Sequence, residues 1–424
     1  MKEKIKLGYI GLGRRGMAML KNCFAEMKDV EISWICDIDV SKMKEASDFL
    51  AEKKLPAPRI TEDYREILKD SSVDAVAVMT GWNMHVQCAI DSLKAGKYTA
   101  IEVGCAYDIA ECHQLLAAYE STKAPLMMLE NACYGRREMM TTRMVREGLF
   151  GEIIHCEGGY QHYLNDVELF KKKEDGTIDT EHYRLAEYAY RNAEQYPTHE
   201  FGPISKILGI NRGNRVLRLS SFASKARGIK AYMKANVPED HPLYGADFKQ
   251  GDIVTTVLTC AGGETVVLTL DTTLPRFEYS RNFTVRGTEG MCEESAAEVC
   301  TFHIEGMTKE GVFNNEAEMY EKFDHPLHKE YAKLGGRGGH GGLDWLVSRA
   351  FVESVKNGTD TPIDVYDTLT WLAIGPLSEQ SISLGGAPVA MPDFTAGKWI
   401  SREPVVKSKY CLDEVIEDSE TSIF

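Results

Sequence analysis

Three glycines near the start of the chain have the spacing of a dinucleotide-binding turn. Gly11, Gly13 and Gly16 form a G-x-G-x-x-G pattern between an apolar run and a segment with helical spacing. The first glycine permits a sharp turn, the second lets the backbone approach a diphosphate, and the third lets helix and strand pack closely. The diphosphate then lies at the partially positive N-terminus of the helix. Alone, the pattern is also typical of a tight surface turn.

A carboxylate supports the dinucleotide interpretation, because Asp37 ends the second apolar run, 21 residues after Gly16. An acid at this place accepts hydrogen bonds from the hydroxyls of the adenosine ribose, which favours NAD over NADP. Arg14 and Arg15 oppose that choice, since either guanidinium can neutralise a 2′-phosphate. We predict NAD as the cofactor, with contacts from Gly11, Gly13, Arg14, Arg15, Gly16 and Asp37.

Short apolar strands alternate with helical segments over residues 1–131 and position this turn. The predicted strands are Ile5–Ile10, Glu31–Cys36, Ala75–Met79, Tyr98–Val103 and Pro125–Leu129. The predicted helices are Met17–Met27, Val40–Glu52, His85–Ala95 and Ile109–Ser121. Such alternation produces a parallel sheet with helices on both faces. The sequence therefore predicts an α/β fold that begins with a doubly wound Rossmann domain.

The pattern changes after Asn131, where strands follow one another. A helix over Arg137–Glu147 precedes the predicted strands, which are Ile153–Tyr163, Val254–Thr259, Thr265–Asp271 and Asn282–Gly287. Two further helices are predicted over Trp345–Val355 and Val365–Leu384. Strands joined by glycine-containing turns favour an antiparallel sheet. We predict an α+β substrate and oligomerisation domain with a mostly antiparallel open sheet over residues 132–395, and a C-terminal tail over residues 396–424.

Charge and cysteine usage exclude several classes of protein. The net charge is −15, from 49 Lys and Arg against 64 Asp and Glu, which disfavours nucleic acid as a partner. No apolar run approaches the roughly 18–20 residues of a membrane span, and the first residues show no cleavable signal. The 11 cysteines are dispersed without a CxxC pair or zinc-ligand spacing. We expect a cytoplasmic enzyme with reduced thiols, no metal and no membrane partner.

Several motifs together resemble a known family. They are Thr80-Gly-Trp-Asn-Met-His85, Ala100-Ile-Glu-Val103, Met127-Met-Leu-Glu-Asn131, Tyr196-Pro-Thr-His199, Gly209-Ile-Asn-Arg-Gly213 and His340-Gly-Gly-Leu-Asp344. The first two occupy the third- and fourth-strand loops of glucose–fructose oxidoreductase-like proteins, the Gfo/Idh/MocA group. The combination closely resembles glycoside hydrolase family 109, the NAD-dependent N-acetylgalactosaminidases, from about residue 5 to about residue 395.

The resemblance implies a hydrolysis that proceeds by temporary oxidation of the sugar. In this family a tightly bound NAD⁺ oxidises the C3 hydroxyl, the acidified C2 proton is removed, and the leaving group at C1 is eliminated. Water then adds, and the hydride returns to C3, so that no net redox change occurs. A pair of catalytic carboxylates, as in ordinary glycosidases, is unnecessary for this route.

The resemblance assigns three residues to catalysis. It places Tyr196 and His199 on the sugar, and the imidazole of His199 suits proton transfer from a hydroxyl at neutral pH. Tyr160 is assigned to the substrate, where it removes the C2 proton or protonates the leaving oxygen. A phenol has a reference pKa near 10, which would have to fall for Tyr160 to act as a base.

Four further residues are expected to contact the sugar. Arg184 matches the family's contact to sugar hydroxyls, although Arg191 is a competing choice in the same Arg- and Tyr-rich stretch. Tyr279 matches a tyrosine that approaches the sugar substituent. His162 shares the strand face of Tyr160. His340, in a glycine-rich loop, is an additional polar candidate.

Six residues are assigned to the cofactor by the same resemblance: Trp82, Asn83, His85, Glu102, Val103 and Asn131. The first three follow the third strand and cover the nicotinamide ribose and the diphosphate. The next two flank the nicotinamide, and the last supplies a side-chain amide. All six lie beyond the carboxyl ends of parallel strands, where ligands of such sheets gather.

Two positions bear on the choice between functions, because the first disfavours a dehydrogenase and the second leaves the sugar specificity open. Sugar dehydrogenases of the group carry Glu-Lys-Pro where this chain has Glu102-Val103-Gly104, so the lysine that assists hydride transfer is missing. The family glycine after His199 is replaced by Glu200, which can orient His199, alter the pocket or point away. We predict an NAD-dependent glycosidase for α-linked N-acetylgalactosaminides on small glycosides or glycan termini, forming a homo-oligomer through the C-terminal sheet. The alternatives are an NAD-dependent sugar dehydrogenase, a sugar or NAD sensor, and a redox glycosidase of different specificity.

Overall fold

The structure is a computed structural model that describes residues 2–173, 176–179, 182–295, 299–404 and 408–416. Its first sheet has six parallel strands in the order β3-β2-β1-β4-β5-β6. They are β1 Ile5–Ile10, β2 Val30–Cys36, β3 Arg59–Thr61, β4 Ala75–Val78, β5 Tyr98–Ile101 and β6 Leu126–Met128. The strand order changes direction beside β1, so the turn after β1 lies at the switch point where such sheets bind dinucleotides. The predicted doubly wound domain is confirmed.

Five helices connect these strands: α1 Arg14–Asn22, α2 Val40–Glu52, α3 Tyr64–Lys69, α4 Trp82–Lys94 and α5 Ile109–Thr122. The prediction of one helix over Met17–Met27 was wrong in its bounds, because α1 ends at Asn22 and a separate 3₁₀ turn covers Phe24–Glu26. The sequence analysis also missed β3 and α3. β3 is a three-residue edge strand with two exposed residues, so it lacks the apolar run that marks the other strands.

The second sheet has eight strands in the order β13-β12-β11-β7-β10-β9-β8-β14. They are β7 Ile153–Gln161, β8 Val216–Ala223, β9 Ile253–Cys260, β10 Thr265–Asp271, β11 Thr284–Gly287, β12 Gly290–Glu294, β13 Cys300–Ile304 and β14 Val389–Ala390. Its named strand pairs are antiparallel apart from β7 and β10, which run parallel. The predicted mostly antiparallel open sheet is confirmed.

The described residues of this half of the chain form eight α-helices: α6 Arg136–Arg146, α7 Tyr183–Tyr190, α8 Pro197–Ile207, α9 Gly228–Asn236, α10 Glu316–Phe323, α11 Pro326–Tyr331, α12 Leu343–Asn357 and α13 Val365–Ser383. α8 packs on β7 and β10, and α13 packs on β8, α5 and β6. α13 therefore joins the two sheets. Its N-terminus is closed by a capping box at Asp364, which satisfies backbone N–H groups in a buried place.

Part of the C-terminal tail packs against the second half of the chain. The carboxylate of Asp413 lies 3.3 Å from Lys206 Nζ and 3.0 Å from Arg212 Nε, and both basic side chains also contact Asp367. The 11 cysteines are all buried and free. Within the described residues, no helix has the length and apolar character needed to cross a membrane, and no cluster of three metal-ligating side chains occurs.

Candidate active site

The glycine turn connects β1 to α1 and is shaped by close backbone contacts. Gly11 has a φ of +96°, and a Cβ there would lie 2.7 Å from the backbone of Met79. A Cβ on Gly16 would lie 2.2 Å from the carbonyl oxygen of Gly11. At Gly13, no described atom lies within 4 Å of the Cβ position. The turn is therefore tightly packed at Gly11 and Gly16 and open at Gly13, which fits a diphosphate bound at the N-terminus of α1.

Asp37 directly follows β2 and lies beside this turn. Its Oδ2 accepts a hydrogen bond from the Leu12 backbone N–H, and its Oδ1 accepts one from Asp39 at 2.9 Å. Each carboxylate oxygen has a further lone pair. Asp37 is thus held against the turn with acceptor capacity left for ribose hydroxyls.

Arg15 belongs to a buried cluster centred on Asp344, at the start of α12. Arg15 Nη1 and Nη2 donate to the two oxygens of Asp344 at 2.8 Å each, and Nη2 lies 3.2 Å from Glu102 Oε1. Asn131 Nδ2 donates to Asp344 Oδ1 at 2.7 Å, and His340 Nδ1 lies 2.9 Å from Oδ2. Burial alone would raise the pKa of Asp344, but the hydrogen bonds from His340 and Arg15 hold it well below its usual range. This cluster ties four predicted site residues to one carboxylate that the sequence analysis did not assign.

Arg14 is engaged by a second acid that the sequence analysis missed. Glu168, in a π-turn over Asn165–Leu169, pairs with Arg14 and lies 3.4 Å from Arg184 Nε. Burial raises the pKa of Glu168, and the two arginines outweigh this and lower it. Because Arg14 pairs with Glu168 and Arg15 pairs with Asp344, neither guanidinium is free to bind a 2′-phosphate. This agrees with NAD as the cofactor.

Trp82 begins α4 and covers the loop after β5. Its indole Nε1 donates to the carbonyl oxygen of Val103 at 3.3 Å, and its ring centroid lies 5.1 Å from that of Tyr183. A Cβ on Gly104 would lie 2.7 Å from the indole nitrogen. Gly104 therefore makes room for Trp82 at the position where the dehydrogenases of the group carry proline.

His85 and Asn83 occupy opposite environments on the first turn of α4. The Nε2 of His85 is hydrogen-bonded to the Glu102 carbonyl oxygen, and its Nδ1 has no partner among the described residues. Burial lowers the pKa of His85, so the ring is neutral. Asn83 is exposed at the carboxyl edge of the sheet. We therefore interpret His85 as a residue that positions Glu102. Asn83, in contrast, is accessible to a ligand.

The three predicted catalytic residues lie together at the junction of the two sheets. Tyr160 is near the end of β7, Tyr196 directly precedes α8, and His199 is in the first turn of α8. The centroids of the two tyrosine rings are 4.2 Å apart, and the His199 ring lies 5.0 Å from Tyr196 and 5.7 Å from Tyr160. Pro197 at the first helical position favours this start of α8, since proline needs no N–H partner there.

A buried carboxylate orients His199. Its Nδ1 lies 2.7 and 2.8 Å from the two oxygens of Glu130, a fully buried residue that follows β6. Gly202 permits this approach, because a Cβ there would lie 2.9 Å from Glu130 Cγ. A carboxylate on Nδ1 fixes the tautomer that leaves the lone pair of Nε2 for a substrate proton. Glu130 is inside a motif quoted above but was given no role there.

Arg184 is the arginine of this cluster. Its guanidinium carbon lies 4.5 Å from the ring centroid of Tyr196 and 5.7 Å from that of Tyr160. Its Nη1 is buried among the aromatic rings of the cluster. Arg191, the competing choice, instead pairs with Glu379 at 2.9 Å.

His162 and Tyr279 extend the cluster along the sheet. His162 Nδ1 lies 3.4 Å from the Tyr160 hydroxyl, and its ring centroid lies 5.3 Å from that of Tyr279. Burial lowers the pKa of His162, so this imidazole is neutral near pH 7. Burial raises the pKa of both Tyr160 and Tyr279 above the usual range. The tyrosines are therefore neutral phenols, which suits them as hydrogen-bond donors and not as bases.

Glu200 points away from His199. Its Oε1 accepts the backbone N–H of Tyr160 at 3.0 Å, and its carboxyl faces that of Glu194. The sequence allowed Glu200 to orient His199, to alter the pocket or to point away. The structure shows the last of these, and Glu130 is the carboxylate that contacts His199. Glu200 is thus outside the arrangement of rings described above.

Gly158 sets the distance between β7 and α8. A Cβ there would lie 2.1 Å from the backbone oxygen of Glu200. We expect Gly158→Ala to lower the free energy of unfolding by about 1–3 kcal/mol and to reduce kcat, because α8 and His199 must move away from β7. Urea denaturation and steady-state kinetics measure both effects. Gly336→Ala is the control, since nothing described lies within 4 Å of its Cβ position, and an equal loss there would contradict the argument.

The fold and the glycine turn define the class of protein. Residues 5–130 match the model of the oxidoreductase family with an NAD-binding Rossmann fold, the Gfo/Idh/MocA group. A solved levoglucosan dehydrogenase in complex with NADH and levoglucosan shares the fold, with a TM-score of 0.66 and 16% identity over 92% of this chain and 100% of that chain. An NAD binding oxidoreductase from Klebsiella pneumoniae gives a TM-score of 0.68 with 15% identity over 92% of this chain and 100% of that chain. The protein is of the NAD-binding, oxidoreductase-like class.

The second half of the chain specifies the family. Residues 134–401 match the model of the glycosyl hydrolase 109 C-terminal domain. A glycosyl hydrolase family 109 protein of Stenotrophomonas maltophilia (strain K279a) is 38% identical over 95% of this chain and 92% of its own length. An alpha-N-acetylgalactosaminidase of Tannerella forsythia is 36% identical over 94% of this chain and 88% of its own length. The chain belongs to glycosyl hydrolase family 109 and is a glycoside hydrolase with an NAD-binding domain.

Proposed function

We propose that this enzyme hydrolyses α-linked N-acetylgalactosaminides at glycan termini or in small glycosides, with NAD as a recycled cofactor. The observation that carries the proposal is the His199–Glu130 pair, which lies at the carboxyl edge of the NAD-binding sheet and against the Tyr160–Tyr196 ring pair. The substrate class is supported by relatives described as alpha-N-acetylgalactosaminidases in Tannerella forsythia and Shewanella oneidensis.

The residues beside the glycine turn fit a dinucleotide. Gly11, Gly13 and Gly16 leave the front of the turn open, and Asp37 offers acceptors to a ribose. The Arg15–Asp344 cluster fixes Asn131 and Glu102 where the nicotinamide end would lie. When bound there, NAD would supply a reversible hydride acceptor for C3 of the sugar.

The chain itself supplies proton transfer and orientation. His199 Nε2 takes the proton of the C3 hydroxyl and gives it back, while Glu130 stabilises the imidazolium that forms in between. Arg184 Nη1 donates to a sugar oxygen, and the neutral hydroxyls of Tyr160 and Tyr196 donate to the oxygen that leaves C1. Buried placement of these groups excludes water from the oxidised sugar until the leaving group departs.

The structure weakens two of the other functions. A dehydrogenase of the Gfo/Idh/MocA group would use the lysine that is replaced here by Val103, and an isopropyl side chain cannot assist hydride transfer. A different sugar specificity was suggested by Glu200, but this side chain faces Glu194 and the Tyr160 backbone. Both findings favour the glycosidase.

An aryl α-N-acetylgalactosaminide is the substrate that tests the proposal. We expect release of the phenol without net formation of NADH, and a loss of activity when the cofactor is removed and its recovery when NAD⁺ is added. Steady accumulation of NADH with this sugar would identify a dehydrogenase. Release of phenol only from other aryl glycosides in the same panel would refute the substrate class.

Turnover in deuterated water tests the route through C2. Because the C2 proton is removed and replaced by one from solvent, we expect deuterium at C2 of the released sugar, measured by NMR. A beta-linked aryl glycoside serves as the comparison for anomeric preference. Product without deuterium at C2 would exclude the elimination step.

We also propose a cytoplasmic homo-oligomer formed through the second sheet. β9 and β10 alternate buried residues with half-buried ones on the opposite face, which carries Val257 and Val267, and Leu217 and Phe222 on β8 are exposed. A second copy of this face would cover that apolar surface. Light scattering of Phe222→Asp against wild type tests the assembly, and an unchanged mass would contradict it.

The proposed cytoplasmic location is supported by the 11 free cysteines, which are typical of a reducing compartment.

A further inference from the structure

Two buried glutamates lie behind the Tyr160–Tyr196 ring pair. Glu194 precedes α8 and is 0% exposed, and Glu200 in α8 is 1% exposed. Glu194 Oε1 accepts the backbone N–H of Tyr196 at 3.1 Å, and Glu200 Oε1 accepts the backbone N–H of Tyr160 at 3.0 Å. Each acid therefore holds the main chain at one of the two substrate tyrosines, whose rings are 4.2 Å apart.

The remaining carboxyl oxygens face each other. Glu194 Oε2 and Glu200 Oε2 are both buried, and neither receives an N–H or O–H from another described residue. Burial raises the pKa of Glu194 to about 8. Burial, the charge of Glu194 and a hydrogen bond with it together raise the pKa of Glu200 well above its usual range. Two adjacent buried carboxylates cannot both be ionised without a large cost, whereas one shared proton satisfies both oxygens.

The groups that face this pair from other elements offer it no compensating cation. A backbone group of Thr269 on β10 contacts Glu200, and Ser378 on α13 accepts the backbone N–H of Glu194 at 2.7 Å. A titratable group from another element that interacts with Glu194 is the thiol of Cys105 after β5, whose pKa is raised by burial to about 11. Within the described chain, the proton is therefore stabilised by the two acids themselves.

We propose that Glu194 and Glu200 are positioning residues that share one proton and thereby hold Tyr160 and Tyr196 in the arrangement that binds the sugar. The activity readout of this inference rests on the proposed function, whereas its stability readout needs no substrate. Loss of the shared proton would leave two negative charges in a buried place, and their repulsion would separate the two tyrosine backbones.

The stability readout uses glutamine variants. The native pair keeps a proton that free glutamates release near pH 4.3, because burial raises the pKa of both acids, so the native state binds more protons than the unfolded state through the neutral range. In this range the pair makes the unfolding equilibrium constant rise by about tenfold per pH unit, and stability falls as pH rises. In Glu200→Gln, the amide oxygen accepts the Tyr160 N–H and the amide nitrogen donates to Glu194.

We expect Glu200→Gln to remove this tenfold contribution from the pH dependence of urea unfolding. Glu194→Gln should have the same effect, because an amide N–H in either position provides the hydrogen bond of the shared proton and does not titrate. Glu152→Gln, an exposed residue just before β7, is the control and should keep the wild-type dependence. If both glutamine variants show the wild-type pH dependence of urea unfolding, the proposal of a shared proton is refuted.

The activity readout compares alanine with glutamine at the same position. Glu200→Ala leaves the Tyr160 N–H unbonded and Glu194 without its partner, and we expect at least about a tenfold loss of kcat/KM. Glu200→Gln should recover most of that loss near pH 7, because the amide oxygen still accepts the Tyr160 N–H and the amide nitrogen still donates to Glu194. An alanine variant with wild-type kcat/KM and pH profile would overturn the positioning role. If the alanine variant does not fold, the pH dependence of urea unfolding in the two glutamine variants tests the proposal. The same unfolding data test the shared proton if the wild-type enzyme cleaves no aryl glycoside.

Discussion

Replacing His199 by alanine is expected to lower kcat/KM for an aryl α-N-acetylgalactosaminide by about 10³-fold. The imidazole packs against both rings of the tyrosine pair, and general acid–base groups contribute about 10²–10⁴-fold to such reactions. Its Nδ1 is held by Glu130 at 2.7 Å, so Nε2 is preorganised and no other ring in the cluster is oriented in this way. Stopped assays of phenol release measure the loss.

Two controls separate chemistry from folding and cofactor binding in this experiment. His303→Ala, on β13 of the second sheet, removes a histidine outside the cluster and should leave kcat/KM within about twofold of wild type. NAD affinity of His199→Ala, measured by calorimetry, should be unchanged. We expect Glu130→Gln to lose about 10²-fold, because the amide keeps the position but not the charge that stabilises the imidazolium. Full activity of His199→Ala would refute its assigned role.

The second large effect is expected at Asp344, where alanine should lower the free energy of unfolding by about 1–3 kcal/mol. Its removal leaves the buried Asn131 amide without an acceptor, while Arg15 keeps its contact with Glu102. Asp344 is buried and binds Arg15 through both oxygens, with further contacts from Asn131 and His340. Because the same cluster holds Glu102 and Asn131, NAD affinity should fall together with stability. Urea denaturation and calorimetry with NAD⁺ measure the two losses.

The pH dependence of this variant provides a separate check. The folded pKa of Asp344 is well below that of the unfolded chain, near 3.9, so its contribution is present above that value and is lost as pH falls. Asp344→Ala should therefore lose less stability than wild type on acidification below about pH 4. Asp48→Ala, which removes an exposed i,i+4 ion pair with Lys44, should change stability by only about 0.5 kcal/mol. A loss of that size at Asp344 would contradict the central role of its carboxylate.

Features with a local sequence signal were predictable. Gly11, Gly13, Gly16 and Asp37 lie within one β-α-β unit, where backbone sterics require glycine and the strand end places the acid. Buried parallel strands form continuous apolar runs, and helices repeat apolar residues every three to four positions, so most of the first sheet followed from periodicity. The three-residue strand β3 was missed because two of its residues are exposed and carry no such signal.

The assembled site depended on contacts between distant parts of the chain. Glu130 lies 69 residues from His199, and Asp344 lies 329 residues from Arg15. The role of Glu168 likewise appears only when it meets Arg14 and Arg184. An isolated acid in a sequence has no feature that distinguishes a solvated side chain from a buried partner, because its burial and pKa depend on the neighbours that folding supplies.

The sequence by itself determined the NAD-binding domain, the order of its elements and, through the family motifs, the tyrosine and histidine residues of the site. The tertiary structure decided which carboxylate orients His199, that Arg184 and not Arg191 joins the tyrosines, and that Glu200 turns towards Glu194. The reason is physical. Backbone conformation and apolar periodicity act over a few residues, whereas electrostatic partnership is set by distance in space and by exclusion of water, and both arise only when the two sheets pack together.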